Sequence, residues 1–316
     1  MLAEPVPPSE ETLAVSPFDD EDADVIVKSC DKHEFRLYKV ILAKASQIFR
    51  DAFSLPQNPS ASIGLDPPEV IDGLPVIYLE EDSRTLALLF RLCYPVEPPE
   101  LASLDDVYPV LAAATKYAMD GIVTISRKAW PTVAAKEPLR AFAIACRMHW
   151  TEEARIAARC TLREPVWPLE PPLDPEFKAV SAETIVRLIS YHRKCAAAAV
   201  RCLQNTEWST RIFEQAVCLH CLGQSTLGSA QNLRLRDWYS KYIQQAKSVL
   251  VVQPAGCTLR RPAFFTTSVH SVFGSPPCEA PAHCLSKIDE VISLFAEEIE
   301  SHIAQVRTSL PAIDAS

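Results

Sequence analysis

An α+β architecture is predicted for this chain, with a small sheet and its helices first and helices alone thereafter. Three observations predict it. Apolar runs of strand type occur only between about residues 24 and 80. From Ser83 onward apolar residues recur at the 3.6-residue spacing of amphipathic helices. Two proline clusters, one between Ser54 and Gly73 and one from Pro165 to Pro175, interrupt both patterns.

Residues 1–22 combine Pro5, Pro7, Pro8 and Pro17 with seven acidic side chains, a composition too polar to offset the entropy of ordering. They are read as a disordered acidic leader, with order beginning at Asp24. Val25 to Val27 and Phe35 to Tyr38 read as two short strands around a polar turn. After Lys39, the spacing of Ile41, Ala45, Ile48, Phe49 and Ala52 predicts one helix with that face buried. The proline-rich stretch Ser54 to Gly73 is expected to be loop, and Val76 to Leu79 a third strand. Ser83 can cap a helix carrying Leu86, Leu89, Phe90 and Cys93, which ends at Tyr94 and Pro95. Ser103 opens the next, with Val107, Leu111, Ala114 and Ala118 as its apolar stripe. Helical patterns follow at Ile122 to Ala135, Leu139 to Trp150 and Glu152 to Leu162. Beyond the second proline cluster, further helices are expected from Ser181 to about Leu203, around Trp208 to Cys221, at Leu233 to Val251, and from about Ser286 to Leu310.

The 316 residues suit about two domains. With 48% hydrophobic and 22% charged residues, a folded protein with a large core is expected. A formal charge of −9 argues against a general affinity for nucleic acid or anionic lipid. The seven glycines are scattered, so no glycine-rich phosphate loop is present. Neither a signal peptide nor an apolar stretch of membrane-spanning length is found, and an intracellular location, in cytoplasm or nucleus, follows as the expectation. The eleven cysteines then read mainly as free thiols.

The stretch Asp24 to Phe53, "DVIVKSCDKHEFRLYKVILAKASQIFRDAF", resembles the opening of a BTB/POZ domain. Phe35, Lys39, Leu42, Ser46 and Phe49 stand at places matching that family's pattern, while Tyr38 replaces its usual histidine. Leu74 to Pro95 and Val110 to Ile122 look like the third strand and later helices of the domain. Glu137 to Leu162 is similar to the helical extension that follows it in the large fungal, basidiomycete-type family. The resemblance implies a BTB/POZ-like domain over residues 23–125, the helical extension over 126–165, a proline-rich linker over 166–175 and an all-helical C-terminal domain over 176–310. It also implies a charged pocket for protein binding, with Asp24 and Lys39 as its carboxylate and base. A structural tie is the alternative role for that pair.

Cys218 and Cys221 form a C-x2-C, and Cys278, His283 and Cys284 follow at irregular spacing. Together they offer enough soft ligands for one tetrahedral zinc. The plainer reading, that these cysteines fill helix cores, is preferred, so no cofactor is expected. The tryptophans Trp130, Trp150, Trp208 and Trp238 read as core. No catalytic residue is assigned: no GxSxG or HExxH motif occurs, and no acidic pair that a helix would set beside a histidine is found.

The leading functional reading is a non-catalytic protein–protein interaction module, a scaffold or adaptor assembling with other proteins or with itself through the BTB-like part. The alternatives are a substrate adaptor of a cullin-type ubiquitin ligase and, from another class, a zinc- or thiol-dependent enzyme. Family adaptors often carry a hydrophobic-x-Glu signature before the third strand; here Glu69 has Pro67 at the apolar place.

Overall fold

The structure, a computed structural model, describes residues 16–54, 69–165, 175–204, 242–261 and 281–306. These fall into two compact units that divide between Glu137 and Pro138. The expected linker at 166–175 lies outside the described residues except for Pro175.

The first unit is built on a four-stranded sheet ordered β2-β1-β4-β3. Strands β1 (Val25–Lys28) and β2 (Glu34–Leu37) form an antiparallel hairpin, with Lys28 opposite Glu34. On its other side β1 pairs in parallel with β4 (Leu74–Tyr78), with Lys28 opposite Tyr78. Val25, Ile26 and Val27 have no exposed surface, so β1 is covered on both faces, as a continuous apolar run demands.

Structure starts upstream of Asp24. Phe18 is 3% exposed and packs edge-on against Phe35, Phe90 and Tyr94, at centroid distances of 5.6, 6.0 and 5.4 Å. One large ring near the end of an acidic, proline-rich stretch is enough to dock it, and average composition conceals such a residue.

The single helix expected after Lys39 is two, α1 (Lys39–Ala45) and α2 (Gln47–Ser54), broken at Ser46. Ser46 takes an extended conformation at φ −134° and ψ 126°, and its hydroxyl donates to the Tyr117 carbonyl at 2.5 Å while accepting the Phe49 N–H at 3.1 Å. The break rotates the buried face. Leu42, Ser46 and Phe49 are inside, whereas Ile48 and Ala52, expected to be buried, are exposed.

The expected loop from Ser54 to Gly73 is also shorter than predicted. Residues 55–68 lie outside the described residues, but Val70–Ile71 form β3, antiparallel to β4. Asp72 and Gly73 make the connection with φ of 51° and 79°. A two-residue Asp-Gly hairpin turn requires both to be left-handed.

Helix α3 (Ser83–Arg91) buries Leu86, Leu89 and Phe90 as expected, but its cap is Asp82, whose side chain accepts the Thr85 N–H at 2.8 Å. Ser83 instead donates its N–H and hydroxyl to Asp31, at 2.9 and 2.6 Å. Helix α4 (Leu104–Lys116) opens at Ser103 with a full capping box to Asp106. Helix α5 (Asp120–Ala134) completes the unit, with Trp130 fully buried.

In the second unit, α6 (Pro138–Arg147) buries Ala141 through Ala145 without interruption and packs against α7 (Thr151–Thr161). Helix α8 (Ala182–Cys202) is capped by Ser181. Residues 242–252 are helical (α9), with Tyr242, Ala246 and Leu250 buried at four-residue spacing. A 3-10 turn, Gly256–Arg260, and the long α10 (Pro281–Ala304) follow, the latter starting five residues ahead of its expected Ser286. The segment from Trp208 to Cys221 lies outside the described residues. All strands among the described residues lie between Val25 and Tyr78.

Two helices end on left-handed residues that are not glycine. After α4, Ala118 has φ 51° and the Met119 N–H reaches the Ala114 carbonyl at 2.8 Å; after α6, His149 has φ 58° and the Trp150 N–H reaches Ala145 at 2.9 Å. Both are Schellman endings. They place Ala118, expected in the buried stripe of α4, at the surface.

The left-handed region costs a Cβ-bearing residue roughly 1–2 kcal/mol, and glycine's extra unfolded entropy offsets about 0.5–1 of that. Ala118→Gly and His149→Gly should therefore each stabilise the protein by about 0.5–1 kcal/mol in denaturant titrations. Gly256 has the opposite requirement. A Cβ there would lie 2.4 Å from the Ala296 carbonyl oxygen, and its N–H donates to Glu300 at 2.8 Å. Gly256→Ala should destabilise by about 2 kcal/mol in the same titration, through forced backbone displacement.

Candidate interaction surface

The surface of the first unit exposes large apolar side chains in three places, one of them Ile125 on α5, 43% exposed. Val40 on α1 and Ile48 on α2 are 59% and 45% exposed, close on either side of the Ser46 break. Ser46 is hydrogen-bonded in both directions, which sets the orientation of α1 relative to α2. On the sheet edge, Val70 of β3 and Tyr78 of β4 are 58% and 61% exposed.

Beneath the edge lies a row of polar groups set by strand register. Lys28 Nζ sits 3.0 Å from Glu34 Oε1 and 3.6 Å from Glu69 Oε1, while the Tyr78 hydroxyl donates to Glu69. Lys28 and Glu34 are buried. Burial alone would lower the Lys28 pKa, but the hydrogen bond and charge of Glu34, with the charge of Glu69, outweigh it and hold the ammonium above its ordinary range. On α4, Lys116 contacts Glu80 and Glu81 at 2.8 and 3.0 Å, and Tyr117 donates to Glu81 at 2.6 Å. Burial first, then the Glu81 hydrogen bond, raises the Tyr117 pKa.

Asp24 and Lys39 are brought together, though not as an ion pair. Asp24 Oδ1 accepts the Lys39 backbone N–H at 2.6 Å, and the carboxylate is exposed. The contact ties the first turn of α1 to the start of β1. Of the proposed zinc ligands, Cys218, Cys221 and Cys278 lie outside the described residues, and for His283 and Cys284 only their place on α10 is described.

The buried and half-buried thiols are poor nucleophiles. Burial pushes Cys93, Cys146 and Cys202 up to about 12 and Cys195 up to about 11, so each is protonated at neutral pH. Trp130 and Trp150 are core residues, as expected, while Trp208 and Trp238 lie outside the described residues. On α10 a single carboxylate, Glu298, stands one turn before a histidine, His302.

The sequence reading missed the Lys28 row because its members are scattered, at residues 28, 34, 69 and 78, and only register brings them together. The Asp-Gly dipeptide before Leu74 was the signal that could have revealed β3 and the placement of Glu69.

Residues 17–132 match the family model of the BTB/POZ domain. The chain therefore carries a BTB/POZ domain, a protein–protein interaction module, and the match takes in both Phe18 and α5. No curated protein matches the chain.

Removing one partner of a buried ion pair leaves the other charge uncompensated. Glu34→Gln should cost about 3 kcal/mol of stability, and adding Lys28→Met should recover much of it. Because the folded Lys28 pKa lies above its free value, the ion pair's contribution is complete at neutral pH and fades only as pH rises past the raised value. A urea titration of both variants at pH 7 checks the coupling, which vanishes if the pair carries no energy.

Proposed function

We propose that this protein is a non-catalytic assembly protein whose BTB/POZ domain associates with a second copy of the chain through the α1–α2 surface. The observation that supports this most is the exposure of Val40 and Ile48 on either side of the Ser46 break. Covering exposed apolar side chains releases their hydration water from both partners. The raised thiol pKa values of Cys93, Cys146 and Cys195 speak against a thiol-dependent enzyme built on them.

The free cysteines among the described residues suit a reducing, intracellular compartment. No described helix is long and apolar enough to cross a membrane. The acidic balance of the chain gives no electrostatic draw toward nucleic acid. Helices α6 and α7, directly after the matched domain, support a place in the large fungal family with a helical extension. The cullin-adaptor reading is weaker, since Glu69 is already held by Lys28 and Tyr78.

Sedimentation velocity on the full chain tests the proposal. Concentration-dependent self-association is expected, and Val40→Asp with Ile48→Asp should weaken it at least tenfold while leaving the thermal midpoint within a few degrees. A wild-type chain that stays monomeric at all concentrations, or a variant that associates equally well, rejects it.

A further inference from the structure

A second cluster lies within the helical unit. Cys202 closes α8 and is 3% exposed, while Glu298 and His302 stand one turn apart near the end of α10. One ligand atom from each lies within 4.8 Å of the other two. Helices α8 and α10 pack against each other, so the grouping rests on two regular elements and not on a loop.

The contacts within the cluster suit a cation. His302 Nδ1 lies 2.9 Å from the Glu298 carbonyl oxygen and 3.4 Å from Glu298 Oε1. A histidine that donates Nδ1–H to a backbone carbonyl keeps the lone pair on Nε2, the orientation metal-bound imidazoles commonly adopt. Among the described residues no lysine or arginine pairs with the Glu298 carboxylate.

We propose that Cys202, Glu298 and His302 form a divalent-metal site, zinc by its chemistry, with water as the fourth ligand. The bound ion displaces the Cys202 proton to solvent, and thiolate, imidazole and carboxylate together are the ligand types zinc takes, whereas calcium and magnesium demand oxygen alone. Bond lengths of about 2.1–2.3 Å place two ligands of one tetrahedral zinc about 3.5 Å apart, so the present separations close with side-chain rotation. Glu298 and His302 are each more than a third exposed, which leaves an entry path and room for the water. Cys284, on the same helix, lies about 21 Å along the axis from Glu298, too far to share an ion.

Cobalt(II) titration of the full, chelator-stripped chain tests the site, because thiolate ligation gives a charge-transfer band that oxygen and nitrogen ligands do not. One cobalt equivalent carrying this band, displaced by zinc, is expected to disappear in Cys202→Ser. His302→Gln, at a half-exposed position that does not endanger folding, should weaken cobalt binding at least tenfold with the far-ultraviolet dichroism unchanged. Exposed Cys257 is the control, and Cys257→Ser should bind as the wild type does. An undiminished band in Cys202→Ser, wild-type affinity in His302→Gln, or no cobalt bound by the wild-type chain would overturn the proposal.

Discussion

The first unit depends on one constraint: β1 is buried on both faces, so its backbone N–H and C=O groups can be satisfied only by strands on both sides. The β2 hairpin supplies one partner within a few residues. The other must come in parallel, and a parallel partner cannot be reached by a tight turn. The chain therefore travels through α1, α2 and β3 before β4 returns beside β1. What lies around the sheet follows from that detour. Ser46 bends the helical part of the crossover and bonds it to the end of α4, and the Asp72–Gly73 turn aims β4 at its place.

Lys28 shows how the same strand carries charge into the interior. At the end of β1 its ammonium is desolvated, and the registers of β2 and β4 set Glu34 and Tyr78 opposite it, with Glu69 behind. The salt bridge brings little net stability over an apolar replacement, because desolvation consumes most of the attraction. Its larger effect is on register. A one-residue slip of either neighbour would strand a buried charge, so the row penalises alternative pairings more than it rewards the native one.

Where the sequence pattern was local, it was legible. The apolar run of β1, the capping box at Ser103 and the helical period after Ser83 each depend on residues within a turn or two of one another. The helix break at Ser46 was not, because the hydroxyl that stabilises it bonds to Tyr117, 71 residues away. Simple periodicity therefore selected Ile48 and Ala52, which are exposed, along with Phe49, which is buried, while it passed over Leu42 and Ser46, buried residues that stand at family-matching places. Phe18 was hidden by its acidic surroundings. The cluster of Cys202, Glu298 and His302 joins residues about a hundred positions apart, and only the packing of α8 on α10 brings them together.

The long return to β4 has a consequence for the nascent chain. During synthesis β1 and β2 emerge together, but β4 begins 46 residues after β1 ends. At about 5–20 residues per second, one flank of a largely apolar strand stays unpaired for roughly 2–9 s. An open strand edge of that composition is a template for intermolecular pairing. The most vulnerable period of this protein is thus on the ribosome, and the fold that later hides β1 so thoroughly makes its yield sensitive to holding chaperones and to the local rate of translation.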